Sequence, residues 1–161
     1  MTGPYSTYPG NPKLVAERIV TKLNAVKLTV HPTLDIATVY YGDQDRFPAT
    51  PSVCVEPGDK NRTLQGAPNM TQNDFEMFIL VYHNKVQGNQ NTRKEVDDLA
   101  YSIEQFMHQD LQLTNGNPSD PYMIHGFVAT SESGYAFKAG TLYRVVRLTW
   151  RGRNKTSLPT A

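Results

Sequence analysis

The side chains most often used in catalysis are scattered along this chain. Its four histidines, His31, His83, His108 and His125, form no His-x-x-x-His or His-Glu-x-x-His pair of the kind that binds zinc. The only cysteine, Cys54, lies in an alternating strand pattern, which favours an inert thiol and excludes an intramolecular disulfide. A Gly-x-Ser-x-Gly nucleophile motif and a glycine-rich phosphate loop are both missing from the sequence. We therefore expect no catalytic, metal or cofactor site, and a protein that is not an enzyme.

The acidic residues have ordinary structural explanations. Asp97 and Asp98 lie in the first turns of a predicted helix, where carboxylates oppose the helix dipole favourably. His108 and Asp110 lie two residues apart near the end of the same helix, where a capping or dipole role is more common than metal ligation. These carboxylates therefore predict helix ends and not a paired acid–base site.

The basic residues are concentrated near the end of the sequence. Six of the sixteen lie between Lys138 and Lys155 with no acid among them, so ten basic and fifteen acidic residues make up the rest of the chain. A basic segment on an acidic body can attract copies of the chain, an acidic partner or a phosphate backbone, although a solvated basic strand face fits equally well. In the last strand Arg144 shares its parity with Trp150, whereas Arg147 and Arg151 have the opposite parity.

Two amphipathic helices are predicted. Asn11 is a favourable N-cap, and Pro12 suits the first helical position because no hydrogen bond is lost there. The first helix ends at residues 31–32, since the residue before a proline resists helical geometry. Thr92 and Glu95 fit a capping box that opens the second helix. The apolar positions at helical spacing are Val15, Ile19, Leu23 and Val26, and then Val96, Leu99, Ala100, Ile103, Phe106 and Met107.

Five strands are predicted around the second helix. The third has apolar residues on both parities, which indicates a central strand covered on both faces. Residues 58–68 are polar and predict a mobile loop or a projecting hairpin, and the last two strands are expected to pair as an antiparallel hairpin with a long connection. The predicted strands are Ile36–Tyr41, Pro51–Pro57, Thr71–Val86, Met123–Ser131 and Thr141–Arg151.

These elements predict an α+β fold: one mixed, mostly antiparallel sheet with two main helices packed on one face. We expect an N-terminal arm over residues 1–11, a single domain over 12–153 and a loose polar tail over 154–161. The longest apolar stretch, at residues 78–82, is too short to cross a bilayer, and the first ten residues lack a signal-peptide pattern. The expectation is a soluble protein made in a reducing cytoplasm.

The order of these elements and their residue patterns resemble those of a known family. A helix and a strand are followed by "PSVCVEPGDKNR", then by the long strand "FEMFILVYHNKV", the helix "TRKEVDDLAYSIEQFMHQDL" and the closing "LYRVVRLTWRGR". From about Pro12 to Arg153 this layout resembles the tail terminator proteins of long-tailed bacteriophages, which are also called tail completion or head–tail joining proteins. The resemblance lies in order, length and texture and is carried by no diagnostic motif.

The resemblance implies a structural virion protein. Members of that family form a hexameric ring on the last ring of the tail tube, stop its growth and present a surface to the neck or capsid connector, without catalysis or cofactors. The implied location is the tail–neck junction of the virion, after assembly in the host cytoplasm, with DNA passing through the lumen without sequence-specific binding. Partner or lumen contacts are expected at Arg144, Arg147, Arg151, Arg153, Lys60 and Arg62.

Three alternatives remain open. One is another neck or tail component, either a head-closure protein or a tube subunit. A second is a small nucleic-acid-binding module that uses the basic C-terminal strand, with Tyr143 and Trp150 as candidate stacking residues. The third is a small α+β enzyme whose site is assembled only in three dimensions.

Overall fold

The computed structural model describes residues 8–65, 70–84 and 90–157, with side chains throughout except at 90–92. The chain forms the predicted α+β fold, with two helices and a five-stranded mixed sheet. Neither helix in these ranges combines the length and apolar character needed to span a bilayer. In chain order the elements are helix α1 (Pro12–Ala25), strands β1 (Thr38–Tyr41), β2 (Ser52–Leu64) and β3 (Met70–His83), helix α2 (Gln90–His108), and strands β4 (His125–Lys138) and β5 (Thr141–Ser157).

The sheet has the strand order β1-β2-β3-β5-β4. β1 is parallel to β2, and all other neighbours are antiparallel. Both helices pack on one face, here named the inner face: α1 lies against β1 and β2, and α2 lies against β3, β4 and β5. The apolar stripes of the helices and the alternate strand residues facing them form one continuous core. Trp150, Phe75, Ile19, Leu99 and Ile103 are among its fully buried members.

The opposite face, here named the outer face, is covered only in part. The loop between β1 and β2 places Phe47 on this face, where its ring lies 4.7 Å from that of Tyr82 and 5.3 Å from that of Tyr143. Cys54 and Leu80 belong to the same small buried cluster. Farther along β5 the outer face carries charged, exposed side chains. The sheet is therefore covered on both sides at one end only.

The helix predictions are correct in position but not at every end. Asn11 caps α1 as predicted, with its side-chain oxygen accepting a 3.0 Å hydrogen bond from the Lys13 N–H. α1 ends at Ala25, ahead of residues 31–32, because Val26 already leaves helical geometry. α2 begins at Gln90, upstream of Thr92, so the predicted capping box does not open it. The Glu95 carboxylate instead lies 3.2 Å from His83 Nε2.

β2 continues past Pro57-Gly58, where the sequence predicts its end. The ladder with β3 shifts register between Pro57 and Lys60, so this dipeptide marks a β-bulge within a longer strand. A side chain at Gly58 would place its Cβ 2.9 Å from the Phe78 ring and 3.1 Å from the Glu76 carbonyl oxygen, so glycine fits this bulge without displacing a neighbour. The hairpin alternative for residues 58–68 is thus confirmed as far as Leu64, and residues 66–69 lie outside the described ranges.

The polar end of the chain is strand where the sequence predicts a loose tail. β5 runs through Ser157 and pairs with β3 from Arg144 to Ser157, so residues 154–157 belong to the domain. Asn73 and Asn154 are fully buried in this region, and the Asn73 side-chain amide donates a 2.9 Å hydrogen bond to Asn154 Oδ1. Polar side chains form this part of the sheet because their partners on the neighbouring strand are also polar.

β4 and β5 pair as predicted, but their connection is short. β4 continues through Ser133-Gly134 to Lys138, and only Ala139 and Gly140 join it to β5. Both residues have positive φ, 49° and 81°, as a two-residue type I′ hairpin turn requires. The hairpin is consequently a stiff, continuous projection of the sheet.

Candidate functional site

No described group of three or more His, Cys, Asp or Glu side chains is arranged to hold a metal ion. Cys54 is buried, and burial together with the Asp43 charge raises the pKa of its thiol to about 12. The Tyr82 hydroxyl donates a 3.0 Å hydrogen bond to Asp43 Oδ1, and burial and this bond raise the Tyr82 pKa well above its usual range. Both groups therefore stay protonated and are structural parts of the Phe47 cluster.

Arg147, Arg151 and Arg153 lie on the outer face, as their shared parity predicts, and all three are exposed. Each faces an acid on an adjacent strand, and such exposed pairs add little stability. The pairs are Arg147–Glu132 (2.6 Å), Arg151–Glu76 (3.6 Å) and Arg153–Asp74 (2.8 Å). The uniformly basic strand face that the linear charge pattern suggests does not form, because sheet pairing brings acids distant in sequence against each arginine.

Arg144, the fourth arginine of β5 expected to contact a partner, is not exposed with the other three. It has the opposite parity, lies on the inner face and is only 6% exposed. Its guanidinium lies 4.9 Å from the centre of the Tyr135 ring. Within the described ranges its Nε has no hydrogen-bond acceptor. Arg144 is therefore a packing residue at the base of the β4–β5 hairpin.

Lys60 and Arg62 lie on the strand extension of β2 and not in a loop. Beyond the bulge they share one side of β2, and they pair across the ladder with Phe75 and Asn73. Lys60 Nζ lies 5.6 Å from the Phe75 ring centre and donates a hydrogen bond to the Gly10 carbonyl. Because Phe75 and Asn73 are buried on the inner face, Lys60 and Arg62 project on that face too. Burial, and next the nearby Arg62 charge, lower the pKa of Lys60.

A surface groove of about 430 Å³ crosses the outer face beside the paired arginines. Carboxylates and basic groups both line it, including Asp59, Glu76 and His125, with Phe127 as its main apolar side chain. Because Arg151 and Arg153 are already paired with acids in this groove, neither offers an uncompensated positive charge to a substrate. The groove is therefore a weak candidate for a small-molecule site.

Phe137, the most exposed large apolar side chain among the described residues, lies on the β4–β5 hairpin. Phe137 is 73% exposed, Tyr135 is 60% exposed and Leu142 is also exposed, and register places all three on the inner side of the hairpin. No protein-family model matches the chain, and no curated protein matches it either. The hairpin surface was not predicted from the sequence, because only the strand order reveals that β4 is an edge strand. The clustering of Tyr135, Phe137 and Leu142 around one hairpin turn is the signal that could have indicated it.

Proposed function

We propose that this protein is a structural subunit of a long-tailed bacteriophage, which forms a ring on the end of the tail tube. The ring stops tube growth and joins the tail to the neck or capsid connector. In this role the protein contacts copies of itself, tube subunits and neck proteins, and DNA passes through its lumen without base-specific binding. The protein acts by assembly and not by catalysis.

The observation that carries this proposal is the exposed, aromatic β4–β5 hairpin at an uncovered edge of the sheet. Soluble monomers blunt such edges or cover them, and large exposed aromatic side chains at one place are typical of interaction sites. Tyr135 and Phe137 both lie in the edge strand β4 of this hairpin. The two helices and the mixed sheet also agree with the α+β fold that the resemblance implies.

The first test is mass measurement of the purified protein, alone and mixed with tube subunits from the same particle. We expect a discrete ring-sized oligomer, or a ring formed on tube ends, and tubes whose growth stops. Phe137→Glu should weaken this activity, because a charge on the exposed hairpin opposes its burial against a partner. Leu28→Glu is the matched control, since Leu28 is similarly exposed but lies after α1, away from the hairpin.

Two results would count against the proposal. A strict monomer that leaves tube growth unchanged would exclude a tube-capping role. Equal activity of Phe137→Glu and wild type, with capping intact, would exclude the hairpin as the contact surface.

A second prediction concerns nucleic acid. Because Arg147, Arg151 and Arg153 are each paired with an acid, we expect the isolated chain to bind DNA only weakly, with a Kd above about 10 µM at physiological salt. Fluorescence anisotropy over a salt series measures this. A sub-micromolar Kd that Arg151→Ala weakens would favour the nucleic-acid-binding alternative instead.

A further inference from the structure

β4 presents a long free edge. It pairs with β5 on one side, and among the described residues no strand pairs with its other side. A bulge lies between Val128 and Thr130, but from Thr130 to Lys138 the ladder is regular. That stretch contains no proline and no bulge, and lysine, the charged residue most often used to protect an edge strand, appears only at its end. It can therefore accept a further strand.

A second free edge lies on the opposite side of the same sheet. β1 pairs only with Ser52–Val55, so the distal part of β2, from Glu56 to Leu64, has no described strand beyond it. This stretch is similar in length to the free part of β4. Because β2 is antiparallel to β3, β3 to β5 and β5 to β4, β2 and β4 run in opposite directions. The ladders place Thr130 level with Glu56, through Thr149 and Phe78, so the two free stretches extend from that level toward opposite ends of the sheet. A second copy in the same orientation, shifted along the strand direction by the length of one such stretch, would bring these two edges together as an antiparallel pair.

Helix α2 places acids above the β4 edge. The Ser133 hydroxyl donates a 3.4 Å hydrogen bond to Asp97, and His108 Nε2 accepts one of 3.1 Å from the Val128 N–H. Asp97 and His108, which contact β4 near the two ends of α2, lie on one stripe of the helix surface. Tyr101 and Glu104 lie on the same stripe, between these two residues. Tyr101 is strongly exposed. Asp97 and Glu104 have no basic partner among the described side chains.

The distal β2 edge carries the opposite charge on the same side of the sheet. Lys60 and Arg62 project on the inner face, the face on which α2 lies. No carboxylate in the described ranges lies within ion-pair distance of either side chain. Two like charges on one strand face are thus left without compensation inside the subunit. The two free edges are complementary in direction, length and charge.

We propose that the free edge of β4 in one copy pairs antiparallel with the distal half of β2 in a second copy, so that Arg62 of that second copy faces Asp97 and Tyr101. The sheet then continues from subunit to subunit through a head-to-tail interface, which closes into a ring if the rotation permits. This inference deepens the proposed function, on which it rests for the presence of neighbouring copies. A second copy is the occupant because this chain supplies both complementary edges.

Charge reversal in the full-length chain tests this interface. Arg62→Glu and Asp97→Lys should each weaken self-association about tenfold or more, because each places like charges opposite one another. The double variant should recover most of the lost affinity, because positions 62 and 97 again carry opposite charges, with the two signs exchanged. Lys13→Glu and Glu17→Lys are matched controls, since both residues are exposed on α1 and lie away from the two edges. Sedimentation velocity over a concentration series measures the association, and circular dichroism checks folding.

The outcomes separate this inference from the proposed function. If neither single reversal changes self-association, if the double variant recovers nothing, or if the wild type stays monomeric at every concentration, the interface is wrong. A normally assembling Arg62→Glu chain that still caps tubes would overturn this interface and leave the function standing. Recovery in the double variant, in a protein that has no effect on tubes, would support the interface and overturn the function.

Discussion

Gly152→Ala should destabilise the protein by about 3 kcal/mol. The indole of Trp150 lies flat against the paired backbones of Gly152 and Gly126. A Cβ at position 152 would lie 2.3 Å from Trp150 Cη2 and 2.9 Å from Met123 Sδ, and one at position 126 would lie 2.2 Å from Trp150 Cζ2. Trp150 is 1% exposed and has no free space to move into, so either alanine forces the core apart. Chemical denaturation followed by the fluorescence of this single tryptophan measures the loss.

Gly134→Ala provides the control in the same strand as Gly126. A Cβ at Gly134 meets nothing within 4 Å, so this variant should stay within about 0.5 kcal/mol of wild type. Trp150→Phe should reduce the stability lost through Gly152→Ala in a double-mutant cycle, because the smaller ring leaves room for the added Cβ. Equal stabilities of Gly152→Ala and Gly134→Ala would contradict the packing described around Trp150.

Asp110→Asn should cost about 3 kcal/mol at neutral pH, because it leaves a buried lysine without its counter-ion. Lys22 Nζ lies 3.1 Å from Asp110 Oδ2, and the two side chains are only 8% and 13% exposed. Asp110 also accepts hydrogen bonds from the backbone N–H groups of Thr114 and Asn115. The carboxylate therefore joins α1 to the turn that follows α2, which is the structural role the sequence indicates. Urea denaturation at pH 7 measures the cost.

The same carboxylate gives stability a defined pH dependence. Burial alone would raise the pKa of Asp110, but hydrogen bonds from Thr114, Asn115 and Lys22 outweigh it and lower the pKa below 3.8. Because the pKa of Asp110 is lower in the folded state than in the unfolded state, the carboxylate stabilises the fold. This stabilisation is fully present when the pH is above the unfolded-state pKa, and it is lost as the pH falls through the folded-state pKa. The stabilities of wild type and Asp110→Asn should consequently converge below about pH 4.

Asp120→Asn is the control for this pair. Asp120 lies 3.0 Å from Arg18 but is 51% exposed, so its loss should cost under about 1 kcal/mol. A constant difference between wild type and Asp110→Asn from pH 7 to pH 2 would contradict the assigned role of the buried carboxylate.

The helices and the fold class could be predicted because their signals are local. Asn11-Pro12 specifies the start of α1, and the buried positions Val96, Leu99 and Ile103 follow from helical spacing alone. The start of α2 was less predictable, because Glu95, the acid of the apparent capping box, contacts His83 instead. The role of Glu95 depends on its contact with His83 at the end of β3, and a local sequence pattern cannot predict that contact.

The strand ends and the surface charge depended on partners distant in sequence. Pro57-Gly58 indicates an end when read alone, but the ladder with β3 accommodates it as a bulge. Residues 154–157 are polar strand because β3 is polar opposite them. Arg147, Arg151 and Arg153 likewise form ion pairs because β3 and β4 lie beside them. Of the candidate contact residues, only Lys60 and Arg62 keep uncompensated charge on an open edge, and local sequence offers no means of choosing them over Arg147.

The burial of Cys54 has a practical consequence for studying assembly. The thiolate is the form that attacks alkylating reagents, and a thiol with a pKa of about 12 supplies almost no thiolate at neutral pH. A cysteine introduced at exposed Asn24, on α1 and outside the proposed interface, should therefore take up a maleimide dye selectively while the native residue is left in place. Mixing donor-labelled and acceptor-labelled populations would then report, through energy transfer, how quickly neighbours exchange.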